Sequence, residues 1–285
     1  MGEPNEQVRE QISAARIYRR FRLLGDAAWQ SVAVRVAFVG KGGAGKSVIA
    51  GTFCRLLART TSHRVVAIDS DPLPGLALSL GVPSTDTALP PELVEKVGDD
   101  PDSTWQLRSG ITVMDTVEQY APEGPDGVRL LQFGKLRGHV RTVGPSQQAF
   151  RVIVRDLAGT DLHLIGDLPG GTRQAFFGWA GFAQVLVVVA EATPSSMLSA
   201  RRLARLADVD DGTQMVVALA NKTVGPDDAE QLGRFSGLRV IGTIPHDPAV
   251  GAAEREGVPL LDVGTSSPAV EAVASLVETL TRETL

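Results

Sequence analysis

Cysteine is nearly absent: Cys54 is the single thiol in 285 residues. One cysteine closes no intrachain disulfide, which excludes a disulfide-stapled scaffold and fits a reducing, intracellular compartment. It falls within a helix-spaced apolar run and is expected to pack as a small hydrophobe. No apolar run reaches the ~18 residues of a spanning helix, and the first residues lack the apolar core of a signal peptide. A cytoplasmic location is expected. A strong excess of either charge is also missing. There are 28 basic and 33 acidic residues, and the net charge of −5 argues against broad electrostatic binding of nucleic acid. Internal repeats and low-complexity tracts do not occur. With 43% hydrophobic and 21% charged residues, the chain has an ordinary globular balance and enough length for a large core.

Apolar strand-like runs alternate with helical patterns. This predicts an α/β fold with a doubly wound, mostly parallel sheet in one domain over residues 31–285. Strands are expected at Val32–Val39, Arg64–Asp69, Ile111–Asp115, Val128–Phe133, Leu162–Ile165, Gln184–Ala190, Gln214–Ala220 and Leu238–Ile244. Continuous runs such as Val185–Ala190 suit central strands buried on both faces. Helices are expected at Ser47–Thr60, Pro145–Leu157, Ser195–Ala207, Asp227–Phe235 and Pro268–Thr281.

Two regions stand outside this rhythm. Residues 1–30 form an N-terminal extension. Within it Gln11–Gly25 carries Arg16, Arg19, Arg20 and Arg22 and no acid, and Ile17, Phe21 and Leu24 share a helical face with Ala14. Such a segment either packs on its own domain or offers a basic amphipathic helix to an anionic membrane or a partner; the short apolar face favours the first. The region Pro83–Thr104 holds six acids against Lys96 alone and reads as a solvated acidic loop.

The densest signal is Gly40-Lys41-Gly42-Gly43-Ala44-Gly45-Lys46-Ser47, a G-x-x-x-x-G-K-S phosphate loop between a strand and a helix. Its glycines let backbone amides wrap an anion, and the helix N-terminus adds partial positive charge. Lys46 is placed to reach the β- and γ-phosphates, and the Ser47 hydroxyl to ligate Mg²⁺. Val48 continues the loop into the helix. Three later segments fit the same ligand. Asp69-Ser70-Asp71-Pro72 ends the second strand, at the crevice edge of an open sheet, and aims Asp71 near the γ-phosphate; Asp69 would support the loop lysine or the Mg²⁺ shell. Leu162–Ile165 leads to Asp167 and then Gly170-Gly171, an apolar strand ending in a Mg²⁺-holding acid with a pliable loop behind it. Asn221-Lys222 follows the strand Gln214–Ala220. Asn221 offers the donor and acceptor of an adenine edge, and Val224 stands where guanine recognition would need an aspartate. His163, inside a strand, reads as a packed residue.

The additional Lys41, giving K-G-G-A-G-K-S, resembles the deviant-P-loop (SIMIBI class) ATPases of the ParA, MinD and nitrogenase-iron-protein family. The resemblance spans Val32 to about Asp262. It implies a P-loop NTPase fold, ATP and Mg²⁺ as ligands, slow hydrolysis in the absence of a partner, and an ATP-bound homodimer in which Lys41 reaches the partner's nucleotide. It implies that Asp71 orients the attacking water, that Ser47 and Asp167 hold Mg²⁺, and that Asn221 recognises the adenine edge while Gly242-Thr243-Ile244-Pro245-His246-Asp247, similar to the family's G-x-I-P-x-D segment, places Pro245 on the other side of the base. Glu191-Ala192-Thr193-Pro194-Ser195-Ser196 and the helix after it look most like the CooC-type branch. That branch carries a C-x-C just before the helix corresponding to Pro145–Leu157; here Val143-Gly144-Pro145-Ser146-Gln147 has none, and the acidic C-terminus does not resemble MinD's membrane helix. The reading is a nucleotide-dependent dimerisation switch for positioning or maturing an unidentified protein partner or cargo. A non-hydrolysing nucleotide-gated scaffold and a CooC-like metal-insertion ATPase remain as alternatives.

Overall fold

A computed structural model describes residues 33–71, 75–83, 89–98, 104–134, 140–171, 179–207 and 215–283. The basic segment 11–25 lies outside the described residues. Strands are β1 (Arg35–Gly40), β2 (Val65–Asp69), β3 (Val94–Lys96), β4 (Trp105–Leu107), β5 (Arg129–Gln132), β6 (His163–Asp167), β7 (Val185–Ala190), β8 (Met215–Thr223) and β9 (Val240–Pro245). Helices are α1 (Lys46–Ala58), α2 (Leu76–Leu80), α3 (Val113–Tyr120), α4 (Val140–Leu157), α5 (Pro194–Ala207), α6 (Asp228–Ser236), α7 (Pro248–Glu256), α8 (Leu260–Val263) and α9 (Pro268–Glu283).

Seven strands build one sheet in the order β5-β2-β6-β1-β7-β8-β9, with every neighbouring pair parallel. Parallel pairing requires a crossover between strands, and helices supply it on both faces. The period-2 alternation of β1 makes this concrete. Val36 and Phe38 enter the core shared with α1 and α9, whereas Ala37 and Val39 enter the core shared with α4 and α5. β7 divides the same way: Val185, Val187 and Val189 face one core, Leu186, Val188 and Ala190 the other. Strand order reverses at β1, which β6 and β7 flank. The crevice at the carboxyl end of β1 is therefore the expected ligand position of such a sheet.

Three expectations need correction. Ile111–Asp115 is not a strand; Val113–Tyr120 is helix α3. Its cause is a capping box, in which the Thr112 hydroxyl accepts from the Asp115 N–H at 3.1 Å and the Asp115 carboxylate accepts from the Thr112 N–H at 3.3 Å. Nor is Pro83–Thr104 simply a solvated loop. Leu89, Leu93 and Val94 are buried, and β3 pairs antiparallel with β4 in a hairpin packed on α4. Three apolar residues outweigh the acids around them locally, since their burial decides where the backbone lies. Helix α4 also begins at Val140 rather than Pro145, with the proline inside it.

His163 behaves as a packed residue. It is buried, its Nδ1 accepts the Val34 N–H at 2.8 Å, and Nε2 lies 2.9 Å from the Thr61 hydroxyl. Burial, with His63 beside it, holds its pKa down to about 4, so the ring is neutral.

Candidate nucleotide site

The phosphate loop turns from β1 into α1 through two positions only glycine fits. At Gly40, φ is +151° and an added Cβ would lie 2.4 Å from the Val189 carbonyl oxygen. At Gly45, φ is +91° and a Cβ would lie 2.4 Å from Asn221 Nδ2. A side chain at either would push the loop off its neighbouring strand. Helix α1 starts at Lys46 with no side-chain cap and no acid in its first turn. Its first amides are left to a ligand, as an anion site requires. Gly42 and Gly43 are exposed on the loop, Ala44 is buried, and Lys46 is 7% exposed.

Parallel register lines up the acids. Asp167 pairs with Phe38 across β1 and with Asp69 across β2, so both carboxylates stand at one level beside the loop. The Ser47 hydroxyl donates to Asp167 Oδ2 at 2.5 Å, while Asp167 Oδ1 is buried with no hydrogen-bond partner. Burial pushes the Asp167 carboxyl up to about 6, against the pull of Ser47 and Lys46. Asp69 accepts the amides of Asp71 at 3.0 Å and Leu76 at 3.3 Å. Burial and the neighbouring Asp167 nonetheless raise it to about 8. Two buried acids with a raised proton affinity, one holding an orphaned oxygen, fit a hard divalent cation. Ser47 and Asp167 are the oxygen donors Mg²⁺ takes. Among the described residues no group of three or more His, Cys, Asp and Glu is arranged to hold a metal. An ion here would draw the rest of its shell from phosphate and water. Asp71 is half-buried two residues beyond Asp69.

On the other side of the loop lies a cavity of about 230 Å³, lined by Gly45, Val48, Ile49, Asn221, Lys222, Pro245 and Asp247 among others. Its walls come from α1, the carboxyl ends of β8 and β9, and the helices α7, α8 and α9. The structure thus brings Val48, Asn221 and Pro245 around one hollow next to the loop. Asn221 is buried and its Nδ2 donates to the Ala44 carbonyl at 2.7 Å, so its amide also braces the loop. Asp247 is tied to structure: Oδ1 accepts from the Ala249 N–H at 2.9 Å and Oδ2 from the Ala269 N–H at 3.0 Å. These bonds hold its carboxyl below the usual range despite the opposing push of burial. Asp before Pro248 was readable as a helix N-cap.

Lys41 is exposed, and its Nζ donates to the Ser195 hydroxyl at 3.1 Å. Sequence reasoning missed this partner. It also missed Glu191, which accepts from Lys222 Nζ at 2.7 Å while Lys222 also donates to the Gly43 carbonyl at 2.9 Å. Nothing in local sequence signals a bridge between residues 31 positions apart. Cys54 is buried in α1, away from the surface.

Known proteins share this chain's sequence pattern and fold. The chain is 30% identical over 241 residues to the carbon monoxide dehydrogenase accessory protein CooC of Rhodospirillum rubrum, covering 81% of this chain and 90% of that protein. Its fold matches a ParA family ATPase from Chlorobium tepidum with a TM-score of 0.68 at 16% identity, covering 87% of this chain and 99% of the other. It also matches the septum site-determining protein MinD of Pyrococcus horikoshii, solved with Mg-ADP, with a TM-score of 0.63 at 17% identity over 87% of this chain and 95% of the other. The family described as the CobQ/CobB/MinD/ParA nucleotide binding domain matches residues 36–260, and this chain belongs to that family.

Proposed function

We propose that the chain is a Mg-ATP-dependent ATPase whose nucleotide state controls dimerisation, and through it the positioning or maturation of a partner or cargo. The observation that carries the reading is the Ser47–Asp167 pair: a hydroxyl bonded at 2.5 Å to a buried carboxylate whose second oxygen has no partner. In this reading the loop amides and Lys46 hold the β- and γ-phosphates, and the adenine occupies the cavity between Val48, Asn221 and Pro245. Ser47 and Asp167 hold Mg²⁺, which supplies charge neutralisation across the phosphates when bound. Asp71 orients the water, and Asp69 orders the backbone before it by accepting the Asp71 N–H. Lys41 rests on a neutral hydroxyl in its own chain, a contact readily exchanged for a phosphate oxygen of a facing protomer.

The similarity to CooC makes maturation of a metalloenzyme the favoured kind of task. The only cysteine is buried in α1, so a cargo metal would not be carried on thiolates of this chain. Residues 1–30 are read as an extension to the domain at 31–285.

The test is solution mass by light scattering, with and without Mg-ATP, on Asp71→Ala and on Asp71→Ala/Lys41→Ala. The single variant is expected to double in mass with ATP and the double variant to remain a monomer. A mass unchanged by ATP in a variant that binds it would replace the switch with a nucleotide-gated scaffold.

A further inference from the structure

Lys222 breaks the alternation of β8. Its φ is +55°, a left-handed conformation rare for lysine, and the pairing with β9 slips between Asn221 and Thr223. In an unbroken strand Asn221 and Lys222 would face opposite sides of the sheet. The bulge re-aims Lys222, so that both side chains reach the same loop: Asn221 to the Ala44 carbonyl and Lys222 to the Gly43 carbonyl. Lys222 Nζ has a second partner in Glu191 Oε1 at 2.7 Å. The backbone of Glu191 is tied in turn, its N–H donating to the Ser196 hydroxyl at 3.0 Å. The Lys222 residue also lines the 230 Å³ cavity. One side chain therefore joins the cavity wall, a carbonyl of the phosphate loop and an acid on the loop between β7 and α5.

We propose that Lys222 is a positioning residue that couples occupancy of the base cavity to the shape of the phosphate loop. The inference rests on the reading of these as base and phosphate subsites. A base held against the cavity wall restrains Lys222, and a restrained Nζ holds the Gly43 carbonyl turned out, which keeps the neighbouring amides directed at the anion. Glu191 has a defined part in this. An ammonium so close to the phosphates would otherwise be drawn to their charge; the carboxylate retains it on the carbonyl.

Adenosine and tripolyphosphate, the two halves of ATP, test the coupling when titrated separately and together by NMR. In the wild type, saturating adenosine is expected to tighten tripolyphosphate about tenfold, and the reverse by the same factor. Lys222→Met keeps the apolar stem and is expected to bind each fragment with the coupling reduced to within about twofold. Glu191→Gln keeps the lysine and the fold, and about threefold coupling is expected there. Lys222→Arg should restore part of what Met loses. A simple charge role would weaken tripolyphosphate in Lys222→Met yet leave the tenfold coupling, and that result would overturn the proposal. A wild type that binds ATP but whose fragments ignore each other would overturn it too, while leaving the nucleotide site standing. A wild type that binds no ATP would bring down both readings.

Discussion

The two flanks of β1 are built on opposite principles. Toward β6 the site is made of buried acids: Asp69 and Asp167 face each other across a strand register, and one Asp167 oxygen is unpaired. Toward β7 and β8 it is made of completed contacts. Asn221 and Lys222 brace two loop carbonyls, and Glu191 neutralises the lysine. The acid flank holds charge in a poorly solvated place, which costs folding energy and is useful only if a cation arrives. The other flank spends polar groups on rigidity. The loop therefore has a stiff side and a strained side, and a ligand relieves only the strained one.

Removing a charge from the strained side should have the largest effect on turnover and the opposite sign on stability. Asp167→Asn is expected to lower phosphate release from ATP by about 100-fold or more. It should also raise the apo stability in chemical unfolding by roughly 1–3 kcal/mol, because the wild-type carboxylate is ionised there against its burial. A variant that hydrolyses normally, or unfolds more easily, would erase the distinction between the flanks.

The stiff side should respond the other way. Asn221→Ala leaves the Ala44 carbonyl without its donor and is expected to cost roughly 1–3 kcal/mol in the same experiment. Calorimetry should show weaker ATP binding as well. An Asn221→Ala protein as stable as wild type would mean the brace is incidental.

Proton linkage sharpens the contrast without altering a residue. Asp69 holds a proton to about pH 8 in the fold and releases it near 3.8 when unfolded. Between these values the native state binds the extra proton, so apo stability must fall as pH rises. From pH 6.5 to 8 this effect dominates: the last protons leaving unfolded His163 add a small gain in stability, and Asp167, raised to about 6, adds a small further loss. A loss of about 2 kcal/mol is expected across that window, absent in Asp69→Asn. Below pH 6.5 His163 acts with the opposite sign: the unfolded ring takes up the proton, and stability falls as pH drops toward 4. The smallest effect is expected at Ser195→Ala, under about 0.5 kcal/mol, since the Lys41 contact is exposed. A larger loss would show that Lys41 is held in its own protomer.

Much of the acid flank was legible in the sequence. The loop, Asp69, Asp71 and Asp167 are each within or just beyond a strand end, and local pattern carries them. The stiff flank was legible only in part. Asn221 was visible as a polar residue after an apolar strand, but its hold on Ala44 spans 177 positions. Lys222 depends on a bulge that no hydrophobic period records. The helix at Val113–Tyr120 was missed for a different reason: Ile111-Thr112-Val113 has strand-like propensity, and the capping box of Thr112 and Asp115 overrides it. The hairpin of Val94–Lys96 and Trp105–Leu107 was hidden by the acids around it.

Cys54 has a practical consequence. Its thiol is fully buried in the helix that begins at the phosphate loop, and burial, aided by Asp167, pushes its proton affinity well above the ordinary range. A thiol in that state is alkylated only when α1 opens. The chain therefore carries its own unfolding clock beside the ligand site: the rate of maleimide labelling counts openings of that helix, and the slowing produced by any nucleotide measures how firmly the nucleotide holds the helix shut.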